Sequence, residues 1–117
     1  MIQEKGDLRF EFYRETQPGS RRFEKANAYT VKVNMDLGSR VGGNPVVWHI
    51  RHSSWGTDRL SEGASTIAYG EVPDGFVQIE PRAGFAPPLL PNTPYFVSAY
   101  IGAAVGSTSF VYQGRTK

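Results

Sequence analysis

Tyr29-Thr30-Val31-Lys32-Val33-Asn34-Met35-Asp36 alternates apolar and polar side chains without a break. Successive side chains of an extended strand point to opposite faces, so Tyr29, Val31, Val33 and Met35 predict one buried face. Thr30, Lys32 and Asn34 predict an ordinary solvent face on the other side. The same period recurs on both sides of this stretch. Upstream, Leu8, Phe10 and Phe12 alternate with Arg9, Glu11 and Tyr13. Downstream, Val46, Trp48 and Ile50 alternate with Val47, His49 and Arg51, and Tyr95, Val97, Ala99 and Ile101 with Phe96, Ser98 and Tyr100. Ile67 with Tyr69, Val77 with Ile79, and Phe110 with Tyr112 add three shorter strands, seven in all.

Turn chemistry separates them. Gln17-Pro18-Gly19-Ser20, Gly42-Gly43-Asn44-Pro45, Gly70, Pro73-Asp74-Gly75, Pro87-Pro88 and Gly106-Ser107 supply positive or fixed φ where the chain must reverse. No ten residues carry an apolar helical period free of Gly or Pro, and the best helix candidate, Ser20–Asn27, is short and polar. Residues 1–117 therefore read as one all-β domain. Seven strands that each bury one side need two facing sheets, a two-sheet antiparallel β-sandwich. A closed barrel is the alternative, because strand spacing alone does not separate the two.

Composition narrows the function. Glycine (13) and proline (8) fit many short strands and turns, and net charge is only +2. The basic residues are scattered apart from Arg21-Arg22, which leaves no footprint for nucleic acid. No run approaches a membrane span, and Met1–Phe10 lacks an apolar signal region. Either the protein is cytosolic or these residues are a mature segment whose leader has been removed. The chain has no cysteine, so disulfide and thiolate chemistry are excluded.

Chemistry-bearing groups do not converge. His49 and His52 are three apart, which on a strand sends them to opposite faces and denies them a shared metal. Ser53 and Ser54 adjoin His52, with Asp58 near in sequence, but strand neighbours splay apart and no Gly-x-Ser-x-Gly turn is present. Glu62, Glu71 and Glu80 fall in separate turns or strand ends. No cofactor, no metal and no catalysis are expected.

Leu89-Leu90-Pro91-Asn92-Thr93-Pro94-Tyr95 resembles the L-x-P-x-T-x-Y segment of fibronectin type III domains. The resemblance implies that Leu89 plugs the end of the core and that Asn92 takes the left-handed conformation. It also implies that Tyr95 is a tyrosine corner bonded back to nearby backbone. That family usually has a Trp in its second strand, which Tyr29–Asp36 lacks. Trp48 sits in the third, as in immunoglobulin-like domains, with Val97 where a disulfide cysteine would stand. The implied fold is thus fibronectin type III-like or immunoglobulin-like, with Trp48 packed on aliphatic side chains. Tyr69-Gly70-Glu71-Val72-Pro73-Asp74-Gly75-Phe76, followed by that segment, also resembles small uncharacterised bacterial envelope proteins, which implies an extracytoplasmic setting.

The functional expectation is a face. With Trp48, Ile50, Tyr95 and Val97 inward, the opposite side carries Val47, His49, Arg51, Phe96, Ser98 and Tyr100, joined by Val111 and Gln113. Two aromatics and two valines there make a contact patch of a few hundred Å². A non-catalytic binding or assembly module is expected, engaging a protein partner or a second copy. Trp55, in the loop Ser53–Gly63, sits at one end of the face and Gly42-Gly43 at the other. A carbohydrate-binding module stacking sugar rings on Trp55, Phe96 or Tyr100 is the alternative.

Overall fold

Period-two alternation becomes strands throughout. The structure, a computed structural model, describes residues 1–4, 8–36, 38, 44–53, 63–101 and 104–113. Among the described residues nine strands are formed: β1 (Ile2–Glu4), β2 (Arg9–Glu15), β3 (Phe23–Lys25), β4 (Ala28–Met35), β5 (Val46–His52), β6 (Thr66–Ala68), β7 (Phe76–Glu80), β8 (Thr93–Ile101) and β9 (Ala104–Tyr112). Pairing is antiparallel throughout. β1 and β6 pair with β2, which also pairs with β3, and the second sheet runs β7-β5-β4-β8-β9. The two sheets pack face to face as a β-sandwich. None of the described residues is helical, so no helix is long and apolar enough to cross a membrane.

The inner faces are those the alternation marks. Ile2, Phe10, Phe12 and Ile67 from one sheet meet Val31, Val33, Trp48, Ile50, Tyr95, Val97, Ala99 and Ile101 from the other. Phe110 joins the layers: its ring lies 5.7 Å from that of Phe10 and 5.9 Å, stacked, from that of Tyr95. Leu89 is buried at the end of the core. Asn92 takes φ 57°, and the Leu90 N–H donates to the Tyr95 hydroxyl at 2.8 Å. Each of these three local expectations is met; for Tyr95 the reason is that a buried phenol with no backbone partner would leave its oxygen desolvated and unpaired.

Three local readings are corrected. Ser20–Asn27 contains β3, with Glu15 opposite Phe23 and Tyr13 opposite Lys25, so tertiary pairing outweighs the weak helical signal of so short a stretch. In β7 the buried residue is Phe76, while Val77 is exposed. The register shifts between His49 and Ile50, and Gln78 turns inward where its carbonyl oxygen accepts a hydrogen bond from the Trp48 indole at 3.0 Å. A buried indole N–H needs such an acceptor, which explains a polar residue on the inner face. The ring partner of Trp48 is aromatic: Tyr69 stands edge-on at 5.2 Å.

β4 is the centre of the larger sheet, flanked by β5 and β8, so its outward side chains have neighbours on both sides. That position builds the site.

Candidate functional site

Register places the outward residues in rows across the sheet. Val77, Arg51, Thr30, Tyr100 and Val105 form one row; Glu80, His49, Lys32, Ser98 and Ser107 form the next. Asn34, Phe96 and Ser109 follow. Thr30, Lys32, His49, Arg51, Ser98, Tyr100 and Val105 line a shallow basin of about 350 Å³ on this face.

The basin is not an ordinary solvent face. Thr30 is 9% exposed and Asn34 7%, although both lie on the outer side of the sheet. Long neighbours account for it, since Arg51 and Tyr100 flank Thr30 across the two strand pairs. Burial leaves polar atoms short of partners. Among the described residues, the Thr30 hydroxyl, the Asn34 side-chain oxygen and His49 Nε2 are buried with no hydrogen-bond partner. The Asn34 amide nitrogen donates to the Asn44 carbonyl at 3.0 Å, so only its oxygen is orphaned. All three orphans lie on this one face. Buried polar atoms are nearly always paired in a folded protein, and each unpaired one costs about 1–3 kcal/mol.

Charge on the face is mostly positive. Lys32 and Arg51 line the basin, and Glu80 stands opposite His49 at the β7 edge. Burial is the largest influence on His49 and pushes its pKa below the ordinary value; Lys32 and Arg51 push it the same way, and Glu80 opposes them. The imidazole is therefore neutral near pH 7, with its Nε2 buried and unpaired. Tyr100 supplies the aromatic surface, 41% exposed, and Ser98 a hydroxyl.

Four of the six sequence-predicted contact residues share this face. His49, Arg51 and Tyr100 line the basin, and Phe96 sits half-buried one row beyond, between Asn34 and Ser109. Val47 does not join them. Val33 faces Trp48 while Asn34 faces Val46, so Val47 is the extra residue of a bulge. It packs against the core and lines a different groove, about 480 Å³, with Met35, Val46, Pro81, Pro88 and Leu90. A one-residue bulge re-aims the side chains beyond it, which alternation alone does not reveal. That groove is the larger of the two, yet none of the three orphaned polar atoms belongs to the residues that line it. Trp55, Gly42 and Gly43 lie outside the described residues, as do Ser54, Asp58 and Glu62.

Thr30 and Lys32 are the residues that alternation assigned to a bland surface. The signal that reveals them is pairing: once β4 is central, its outward residues share the face of β5 and β8. His49 and His52 separate as their spacing predicts, with His52 buried edge-on against Phe76 at 5.0 Å. Among the described residues no group of three His, Asp or Glu is placed to hold a metal ion. Comparison with protein-family models, with curated proteins and with solved structures gives no match for this chain.

Proposed function

We propose that this protein is a non-catalytic binding module whose outer five-stranded face takes up a carboxylate-bearing group of a partner. The observation that carries the reading is the basin that sets two unpaired groups able to donate, the Thr30 hydroxyl and His49 Nε2, beside Lys32 and Arg51; the Asn34 oxygen one row beyond only accepts and calls for a donor elsewhere on the partner. A protein tolerates such a cost where a ligand's own groups complete the bonds. The charge of Lys32 and Arg51 sets the ligand's sign, because a guanidinium matches a carboxylate with paired hydrogen bonds. A protein partner presenting Asp or Glu is the first reading. An acidic sugar is the second, favoured by the exposed Tyr100 ring beside the hydroxyls of Thr30 and Ser98.

Strand order supports a fibronectin type III-like or immunoglobulin-like ancestry. The β1-β2-β6 and β4-β8-β9 groupings follow the A-B-E and C-F-G order of those folds, with Tyr95 at the start of the F equivalent. On that correspondence Trp48, in β5, stands one strand outside its immunoglobulin position. An extracytoplasmic location rests on the resemblance of residues 69–76 to envelope proteins, and fractionation of the native cells tests it. The binding reading is tested by calorimetry with glucuronate and with a tetraglutamate peptide. Saturable heat is expected for at least one probe, lost on Lys32→Glu with Arg51→Glu. Heat that survives the charge reversal removes the basin from the account.

A further inference from the structure

Among the described residues β9 forms one open edge of the larger sheet, and its sequence is unguarded. Ala104-Val105-Gly106-Ser107-Thr108-Ser109-Phe110-Val111-Tyr112 carries no charge and no proline. All nine residues pair with β8 in one unbroken register. Natural edge strands are usually blunted by Lys, Pro, a bulge or brevity, because their unpaired peptide groups invite another strand. The opposite edge has such guards: β7 is five residues long, is bulged at its pairing with β5, and ends on Glu80 before Pro81.

Which peptide groups of β9 are open follows from the ladder. The Asp36 N–H donates to the Pro94 carbonyl, so the even residues of β8 turn their peptide groups to β4 and the odd ones to β9. Tyr95, Val97, Ala99 and Ile101 then meet Phe110, Thr108, Gly106 and Ala104. The N–H and C=O groups of Val105, Ser107, Ser109 and Val111 point away from the sheet. Their side chains are exposed, Val105 at 64% and Val111 at 48%.

We infer that β9 is a self-pairing edge: it joins antiparallel to β9 of a second copy about a two-fold axis through Thr108. The outward side chains read Val, Ser, Ser, Val and are symmetric about that residue. In this register Val105 faces Val111 of the second copy, and Ser107 faces Ser109. The four facing pairs are those whose peptide groups are open, two bonds each, which closes eight hydrogen bonds. On the inner side Gly106 faces Phe110, so the bulky ring of one strand meets the position of the other that has no side chain. No like charges meet at any position. The two sheets become one continuous ten-stranded sheet, with both outer faces on the same side. The pairing uses edge peptide groups rather than the polar atoms of the basin, so it stands or falls independently of carboxylate binding.

Sedimentation equilibrium on the full chain tests it with three variants, each melted in parallel. Ser107→Lys with Ser109→Lys sets like charges opposite each other in the inferred register. Ser107→Lys with Ser109→Glu sets opposite charges there, at the same two exposed positions. The parent is expected to dimerise, the Lys/Lys variant to dimerise roughly tenfold more weakly or not at all, and the Lys/Glu variant at least as tightly as the parent. Ser109→Pro removes one open N–H without adding charge, at an edge position where proline is tolerated, and is expected to weaken the dimer as well. A parent that stays monomeric at about 1 mM overturns the inference. So does a pair of charged variants that dimerise alike.

Discussion

Replacing Thr30 by valine isolates the cost of one orphaned atom. The two side chains have nearly the same shape, and both are β-branched, so the strand geometry of β4 is kept. What changes is a hydroxyl that is buried and makes no hydrogen bond. An unpaired buried hydroxyl costs about 1–3 kcal/mol, and the Thr30 oxygen is itself closed to water. Thr30→Val is therefore expected to stabilise the protein by about 1 kcal/mol. For a chain of this length that is a rise in Tm of roughly 4 °C. The assay is urea denaturation alongside a thermal melt, with the slope against denaturant checked for constancy so that the denatured state is not the source. A loss of stability of similar size means the hydroxyl is bonded in the folded protein. In that case the face is complete without a ligand.

Tyr95→Phe removes the acceptor of the Leu90 N–H and is expected to cost about 1–1.5 kcal/mol; a denaturation midpoint equal to the parent's removes the tyrosine corner. Trp48→Ala empties the largest fully buried site and leaves Gln78 without its donor, so a loss of about 3–5 kcal/mol is expected, and a loss under about 1 kcal/mol contradicts the packing described. His49 has a folded pKa below its ordinary value, so the unfolded chain takes up the proton first as pH falls. Its share of stability is whole above about pH 6.5 and is lost on acidification towards the folded pKa. The parent should lose more stability than His49→Gln between about pH 7.5 and 5.5, and an imidazole NMR titration with a midpoint at or above the ordinary value sinks this.

Much of the sandwich is legible because burial imposes period two wherever one face of a strand is covered. Phe10, Phe12, Val31, Val33, Trp48, Ile50, Tyr95 and Val97 are marked inward by alternation and are buried. β1 and β3 are not legible, being three residues long and held in place by β2. Val47 is misread because of a bulge, and Val77 because its apolar neighbour Phe76 lets the stretch fit either parity. A bulge inserts a residue into a strand and changes the parity beyond it, and no side-chain pattern in Val46-Val47 announces the insertion. The candidate face is half legible. His49, Arg51, Phe96 and Tyr100 follow from the strand pattern, whereas Thr30 and Asn34 look like solvent-facing residues until the order β5-β4-β8 sets a strand on either side of them. Order across a sheet is a non-local property, and alternation within a strand is blind to it.

The central claim, that contacts are made on the outer face of the larger sheet, is most directly tested by amide NMR of the labelled chain during titration with tetraglutamate. Sodium chloride of matched ionic strength serves as the control. Shifts confined to Thr30, Lys32, His49, Arg51, Ser98 and Tyr100, saturating with ligand and unmatched by salt, are what this account predicts. Shifts that gather instead around Met35, Pro81, Pro88 and Leu90, or that the salt control reproduces, contradict it.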